Sequence, residues 1–154
     1  MPSIDDLTSP DLVVLDLTAS NPHAAVEEMA GLLERNGRLT DRESYVRAVM
    51  AREEETGGTG MESGIAIPHA KSAAVTRPAI AFARSGQGLD FGAEDGTRAD
   101  LVFLIAAPEG ADELHVKMLS RLARRLVHEE FRTRLREAAT PEEVVAVIRE
   151  EVKL

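Results

Sequence analysis

Two hydrophobic rhythms alternate along the chain, one of period two and one near 3.6 residues. Val13-Val14-Leu15-Asp16-Leu17 predicts a short first strand. Ser20 stands where a helix cap belongs, ahead of a helix opening at Asn21-Pro22, and Val26, Met29, Ala30 and Leu33 continue it at helical spacing to Asn36-Gly37. Thr40-Asp41-Arg42-Glu43 reads as a capping box for a second helix with Tyr45, Val46, Val49 and Met50 on one side and Arg52 near its C-terminal end. A glycine-rich loop, Thr56-Gly57-Gly58-Thr59-Gly60, leads into a strand over Gly64–Ile67 that stops at Pro68, with His69 at the sheet edge. Pro78–Arg84 predicts a third strand, and Gly86–Gly96 a turn-rich stretch with a short extended piece at Leu89-Asp90-Phe91. Leu101–Ala106 is continuously apolar, as a strand buried on both faces is. Leu114, Met118, Leu119, Leu122 and Leu126 then mark an amphipathic helix from Ala111 to about Val127, followed by a short helix around Glu130–Glu137. The last helix starts at Thr140-Pro141 and buries Val144, Val147 and Ile148. This order of strand, two helices, several strands and three helices predicts an α/β fold with helices packed on a mixed sheet, as one domain over residues 1–154.

Composition narrows the function more than the fold. The 154 residues suffice to bury a core without disulfides or metals. A net charge of −9 argues against a nucleic-acid partner. The one basic cluster, Arg121 to Arg136, is interrupted by Glu129 and Glu130 and reads as a solvated helical surface. The absence of cysteine removes a thiol nucleophile and a cysteine-based zinc site. The first residues lack the pattern of a signal peptide, and the longest apolar run, Leu101–Ala107, is too short to insert in a bilayer, so the cytoplasm is the expected location.

The candidate chemistry gathers around His69. A neutral imidazole is a good nucleophile near neutral pH, and its N–P bond is readily broken again. His115 falls in the first turns of a helix, where negative charge is favoured nearby. Arg52 offers a guanidinium to phosphoryl oxygens. Taken singly, each has a plainer reading: a histidine bonded to a loop, a polar helix-face residue, and an ion-pair partner of Glu53-Glu54-Glu55. His23 and His128 read as surface residues. The glycine stretch fits neither dinucleotide nor P-loop patterns, so a phosphoryl donor other than ATP is the simpler idea. Met61, Ile65, Ile67 and Phe91 are candidates for an apolar docking patch ringed by Glu62 and Glu94.

Arg52-Glu53, the Thr-Gly loop, Gly64-Ile65-Ala66-Ile67-Pro68-His69, Asp95-Gly96, Leu101–Pro108 and Leu114-His115-Val116-Lys117-Met118-Leu119 together resemble the enzyme IIA domains of the fructose–mannitol class of the bacterial phosphoenolpyruvate:sugar phosphotransferase system. The resemblance runs from about Leu12 to Val152. It implies a three-layer α/β/α sandwich and a phosphohistidine carrier. His69 would take a phosphoryl group from HPr and pass it to a cysteine of a separate enzyme IIB, which feeds a membrane IIC transporter for a sugar or polyol. His115 and Arg52 would stabilise the group in flight, with no metal or organic cofactor. The stretch from Arg52 to His69 runs one residue longer than the family's usual spacing, with the extra residue placed in Glu55–Thr59. A regulatory protein of the nitrogen-related branch, phosphorylated on the same histidine, is the alternative. A pure interaction module on the same fold is a third reading.

Overall fold

The computed structural model describes residues 2–154. In chain order the elements are α1 (Ile4–Leu7), a 3-10 turn (Pro10–Leu12), β1 (Val13–Val14), α2 (Pro22–Arg35), α3 (Arg42–Thr56), β2 (Gly60–Met61), β3 (Ile65–Ala66), β4 (His69–Ser72), β5 (Ala79–Leu89), β6 (Ala99–Pro108), α4 (Asp112–Leu126), α5 (Glu129–Glu137) and α6 (Pro141–Glu151). The strands join one mixed sheet in the order β1-β5-β6-β3-β2, with β4 also paired to β6. β5 runs antiparallel to β6, whereas β3 and β4 run parallel to it.

Period-two alternation along β6 divides the core into two layers. Val102, Leu104 and Ala106 face α2 and α3, against Val26, Met29, Leu33, Tyr45 and Val49. Leu101, Phe103, Ile105 and Ala107 face the other helices, against Met118, Leu122, Leu126, Phe131, Val144 and Ile148. Burying a side chain of this size contributes roughly 1.5–3 kcal/mol. On the second face Phe82 pairs with Phe103 across the strands, ring centroids 4.9 Å apart and tilted by 52°. β5 turns Ala79, Ala81 and Ala83 toward the α2–α3 layer, small side chains that let the helices lie close. Fully buried Tyr45 crosses from α3 to donate its hydroxyl to the Ile105 carbonyl at 2.8 Å, tying that helix to the strand beside His69.

Several local expectations shift by a residue or more. Asn21, not Ser20, caps α2, accepting from the Ala24 N–H at 2.9 Å. Asp41, not Thr40, caps α3, because the Thr40 hydroxyl is taken by the Ala74 carbonyl. The first strand keeps only Val13–Val14, while β5 runs on through Gly86 to Leu89 with a register irregularity after Arg84. The arginine cluster is braced rather than merely solvated: Arg125 and Arg134 reach Glu150 and Glu151 of α6, and Arg136 holds Asp100 with two bonds. Ile65, Ile67 and Phe91 are core residues no more than 5% exposed, so they form no docking patch.

The strand that ends at Pro68 resumes immediately. Pro68 lacks an N–H, but the sheet uses its carbonyl, which accepts from the Ile105 N–H at 3.0 Å. His69 then opens β4 in register with Ile105. β2 pairs with β3 alone, which leaves β4 as an edge strand.

Candidate active site

His69 stands at the edge of the sheet, where α3 brings Arg52 and α4 brings His115 to its ring. Its ring is held by two one-way partners. Arg52 Nε–H can only donate, and it donates to His69 Nε2 at 3.0 Å. The Ile67 carbonyl can only accept, and it lies 2.7 Å from Nδ1. The tautomer follows: Nδ1 carries the proton and Nε2 carries the lone pair. Half-burial, with the nearby Arg52 charge, holds the His69 pKa below that of a free histidine and outweighs the Ile67 bond, so the ring is neutral near pH 7.

α3 aims two consecutive side chains at different tasks. Arg52 reaches His69, not the neighbouring glutamates. Glu53 turns inward, 8% exposed, and burial pushes its carboxyl above the usual carboxylate range, against the opposing pull of the Thr59 N–H, from which its Oε1 accepts at 3.2 Å. That bond anchors the glycine-rich loop. Gly58 has φ of 111°, and a Cβ there would lie 2.0 Å from the Phe91 carbonyl oxygen, so the loop packs backbone against backbone. With the loop held this way, Arg52 and His69 are in contact across it.

His115 comes from the first turn of α4, which starts just beyond the C-terminal end of β6. Its ring centroid is 5.4 Å from that of His69, at a tilt of 57°. The residue is 4% exposed, and its Nε2 is buried with no hydrogen-bond partner. Burial foremost, then the charges of His69, Lys71 and Arg52, push its pKa down to about 4, against a small opposing pull from Asp112. A histidine depressed in the folded state is stabilising above its unfolded pKa of about 6.5 and loses that contribution as pH falls toward 4. Urea midpoints are therefore expected to drop between pH 6.5 and 4, at up to about 1.4 kcal/mol per unit for one proton, and His115→Asn should flatten that slope.

The three expected residues thus meet, Arg52 and His69 by a direct bond and the two histidines ring to ring. His23 and His128 are exposed and lie outside the group. One cation was not anticipated. Lys71, two residues beyond His69 on β4, lines the same cleft as Arg52 and His115 and pairs with Asp112, the first residue of α4. The signal that finds it is strand periodicity, once β4 is known to continue past Pro68. The cleft is small, about 180 Å³. Pockets for free small-molecule ligands run to about 300–1,000 Å³, whereas a phosphoryl group needs little room. A neutral imidazole with its lone pair held beside a guanidinium is equipped to attack an anionic electrophile and to steady its oxygens.

The chain is similar to known proteins over nearly its whole length. Over 150 residues the chain is 41% identical to the fructose-specific EIIABC component of the phosphotransferase system of Bacillus subtilis, covering 97% of this chain but only 24% of that protein. It is 39% identical to the fructose-specific EIIA component of Haloferax volcanii, covering 97% of each. The crystal structure of nitrogen regulatory protein IIA-Ntr from Neisseria meningitidis superposes with a TM-score of 0.85 at 32% identity, covering 94% of this chain and 97% of that one. The mannitol IIA of Escherichia coli, solved in complex with its phosphorylated enzyme IIB, gives 0.79 at 25% identity, covering 93% and 97%. No helix among the described residues is long and apolar enough to cross a membrane. With the family model matching residues 6–151, the chain belongs to the phosphoenolpyruvate-dependent sugar phosphotransferase system EIIA 2 family.

Proposed function

We propose that this chain is a phosphohistidine carrier that accepts a phosphoryl group from HPr on His69 Nε2 and delivers it to a cysteine of an enzyme IIB serving a fructose- or mannitol-class transporter. The observation that carries the reading is the pair of one-way hydrogen bonds on His69, which leaves the lone pair on Nε2 next to Arg52. In the transfer the Nε2 lone pair forms the new N–P bond as the donor's N–P bond breaks. The bonding electrons return to the donor's ring nitrogen, and His69 Nδ1 keeps its proton on the Ile67 carbonyl. Positioning and charge stabilisation dominate such a step. Arg52 exchanges its bond to Nε2 for bonds to the phosphoryl oxygens. His115, whose buried Nε2 has no partner, donates to another of those oxygens. The mannitol IIA solved with its phosphorylated IIB supports the direction of onward transfer.

The IIA-Ntr likeness supports a second output for the same chemistry, in which phosphorylation controls binding to a regulatory partner. The acceptor separates the two readings, since only the transport reading requires a IIB cysteine.

The test is incubation with phosphoenolpyruvate, enzyme I and HPr, followed by intact-mass measurement at alkaline pH and then chase with candidate IIB proteins. A gain of one phosphoryl group that IIB discharges is expected. His115→Ala should still gain the group from HPr but pass it on at least about tenfold more slowly, as loss of one stabilising donor dictates. Equal discharge rates for His115→Ala and wild type would remove His115 from the mechanism.

A further inference from the structure

Lys71 has a strand position, a cleft and a partner that the carrier reading does not use. In β4 the exposed face carries His69 and Lys71, while Ala70 and Ser72 turn into the protein. Residues two apart on one face of a strand are separated by roughly 6.5 Å, a gap that the four-carbon stem of lysine spans. Lys71 lines the cleft shared by Arg52 and His115, and its charge is felt at the His115 ring. In the unphosphorylated protein its ammonium is held by the Asp112 carboxylate.

We propose that Lys71 is a phosphoryl-binding cation kept in reserve by Asp112, and that phosphorylation of His69 exchanges the Lys71–Asp112 ion pair for a Lys71–phosphoryl contact. The inference rests on His69 being the phosphorylated residue. Three features favour the exchange. Both partners are accessible, with side chains 39% and 71% exposed, so the existing pair is weak and salt-screened. A phosphoryl group carries more negative charge than a carboxylate and offers three strong acceptors. Asp112, once released, remains at the first position of α4, where the helix N-terminus stabilises a carboxylate without help. Asp112 is thus a positioning residue that acts through Lys71. Its release also alters the charge pattern next to the site whenever His69 is loaded.

A carrier and a brace predict different mutant patterns. If the pair only pins β4 to α4, Lys71→Ala and Asp112→Asn break the same bond and behave alike. On the proposal they diverge. Initial rates of phosphorylation by HPr should fall roughly 10- to 100-fold for Lys71→Ala, the loss of one charge-assisted contact to the phosphoryl group. For Asp112→Asn the rate should rise about two- to fivefold, the factor an exposed ion pair is worth, and the double variant should match Lys71→Ala. The 31P resonance of the phosphohistidine should move in Lys71→Ala and stay in place in Asp112→Asn. Loading the full chain chemically with phosphoramidate gives the same 31P comparison without HPr. A wild type that fails with HPr but loads chemically therefore indicts the donor and not Lys71. Equal losses in the two single variants, or wild-type rate and 31P shift in Lys71→Ala, would overturn the proposal.

Discussion

His69→Ala is expected to take up no detectable phosphoryl group from HPr. The variant deletes the Nε2 lone pair, and the other histidines offer no substitute. His115 is 4% exposed, while His23 and His128 are exposed and the histidine that Arg52 bonds is His69. Losing a nucleophile outright costs far more than losing a stabilising group, commonly about six orders of magnitude where measured. The fold should survive. The His69 ring is only partly buried, the β4 pairing uses its backbone, and the one orphaned acceptor, the Ile67 carbonyl, costs about 1–3 kcal/mol at most. Circular dichroism and thermal unfolding close to wild type, with no mass gain, are the expected pair of results. A mass gain in this variant would move the nucleophile elsewhere.

Arg52→Ala is the second large effect, a fall of roughly 10²–10³-fold in the phosphorylation rate, comparable to loss of a preorganised charge-stabilising donor. Two functions disappear together: the bond that steadies the ring at Nε2, and the cation that meets the phosphoryl oxygens. Arg52→Lys should recover little, because an ammonium lacks the planar fork of the guanidinium. Stability should hardly change, since Arg52 is exposed near the end of α3. A further readout isolates the electrostatics. Burial depresses the His69 pKa and the Arg52 charge adds to it, so the pKa in Arg52→Ala, followed by NMR titration, should rise part of the way toward the free-histidine value. An unchanged pKa together with an unchanged rate would place Arg52 outside the site.

Much of this was legible along the chain because the relevant patterns are local. The apolar run from Leu101 to Ala106 is short and holds β-branched and aromatic residues that suit a strand buried on both faces, and β6 is that strand. The 3.6-residue spacing of α4 and the Thr140-Pro141 start of α6 appear as read, with Thr140 accepting from the Glu143 N–H. The caps of α2 and α3 slipped by one residue because adjacent side chains compete for the role. At Ser20-Asn21 and Thr40-Asp41 both residues are good caps, and in the second case a tertiary bond to Ala74 draws Thr40 away. Strand ends were harder still. β4 exists because β6 offers a pairing partner beyond Pro68, and nothing local to Pro68-His69 encodes that partner. The site followed the same rule. His69, His115 and Arg52 stand out as chemistry in the sequence, but the Ile67 carbonyl that fixes the tautomer and the Asp112 that holds Lys71 are visible only once strand and helix are in place.

The central claim is that the reactive atom is Nε2 of His69, with Nδ1 protonated. Its most direct test is 31P–15N and long-range 1H–15N correlation NMR of histidine-labelled protein loaded by phosphoenolpyruvate, enzyme I and HPr. The structure predicts phosphorus coupled to His69 Nε2, with the proton retained on Nδ1 against the Ile67 carbonyl. Phosphorus on Nδ1, on His115, or on no histidine would contradict it.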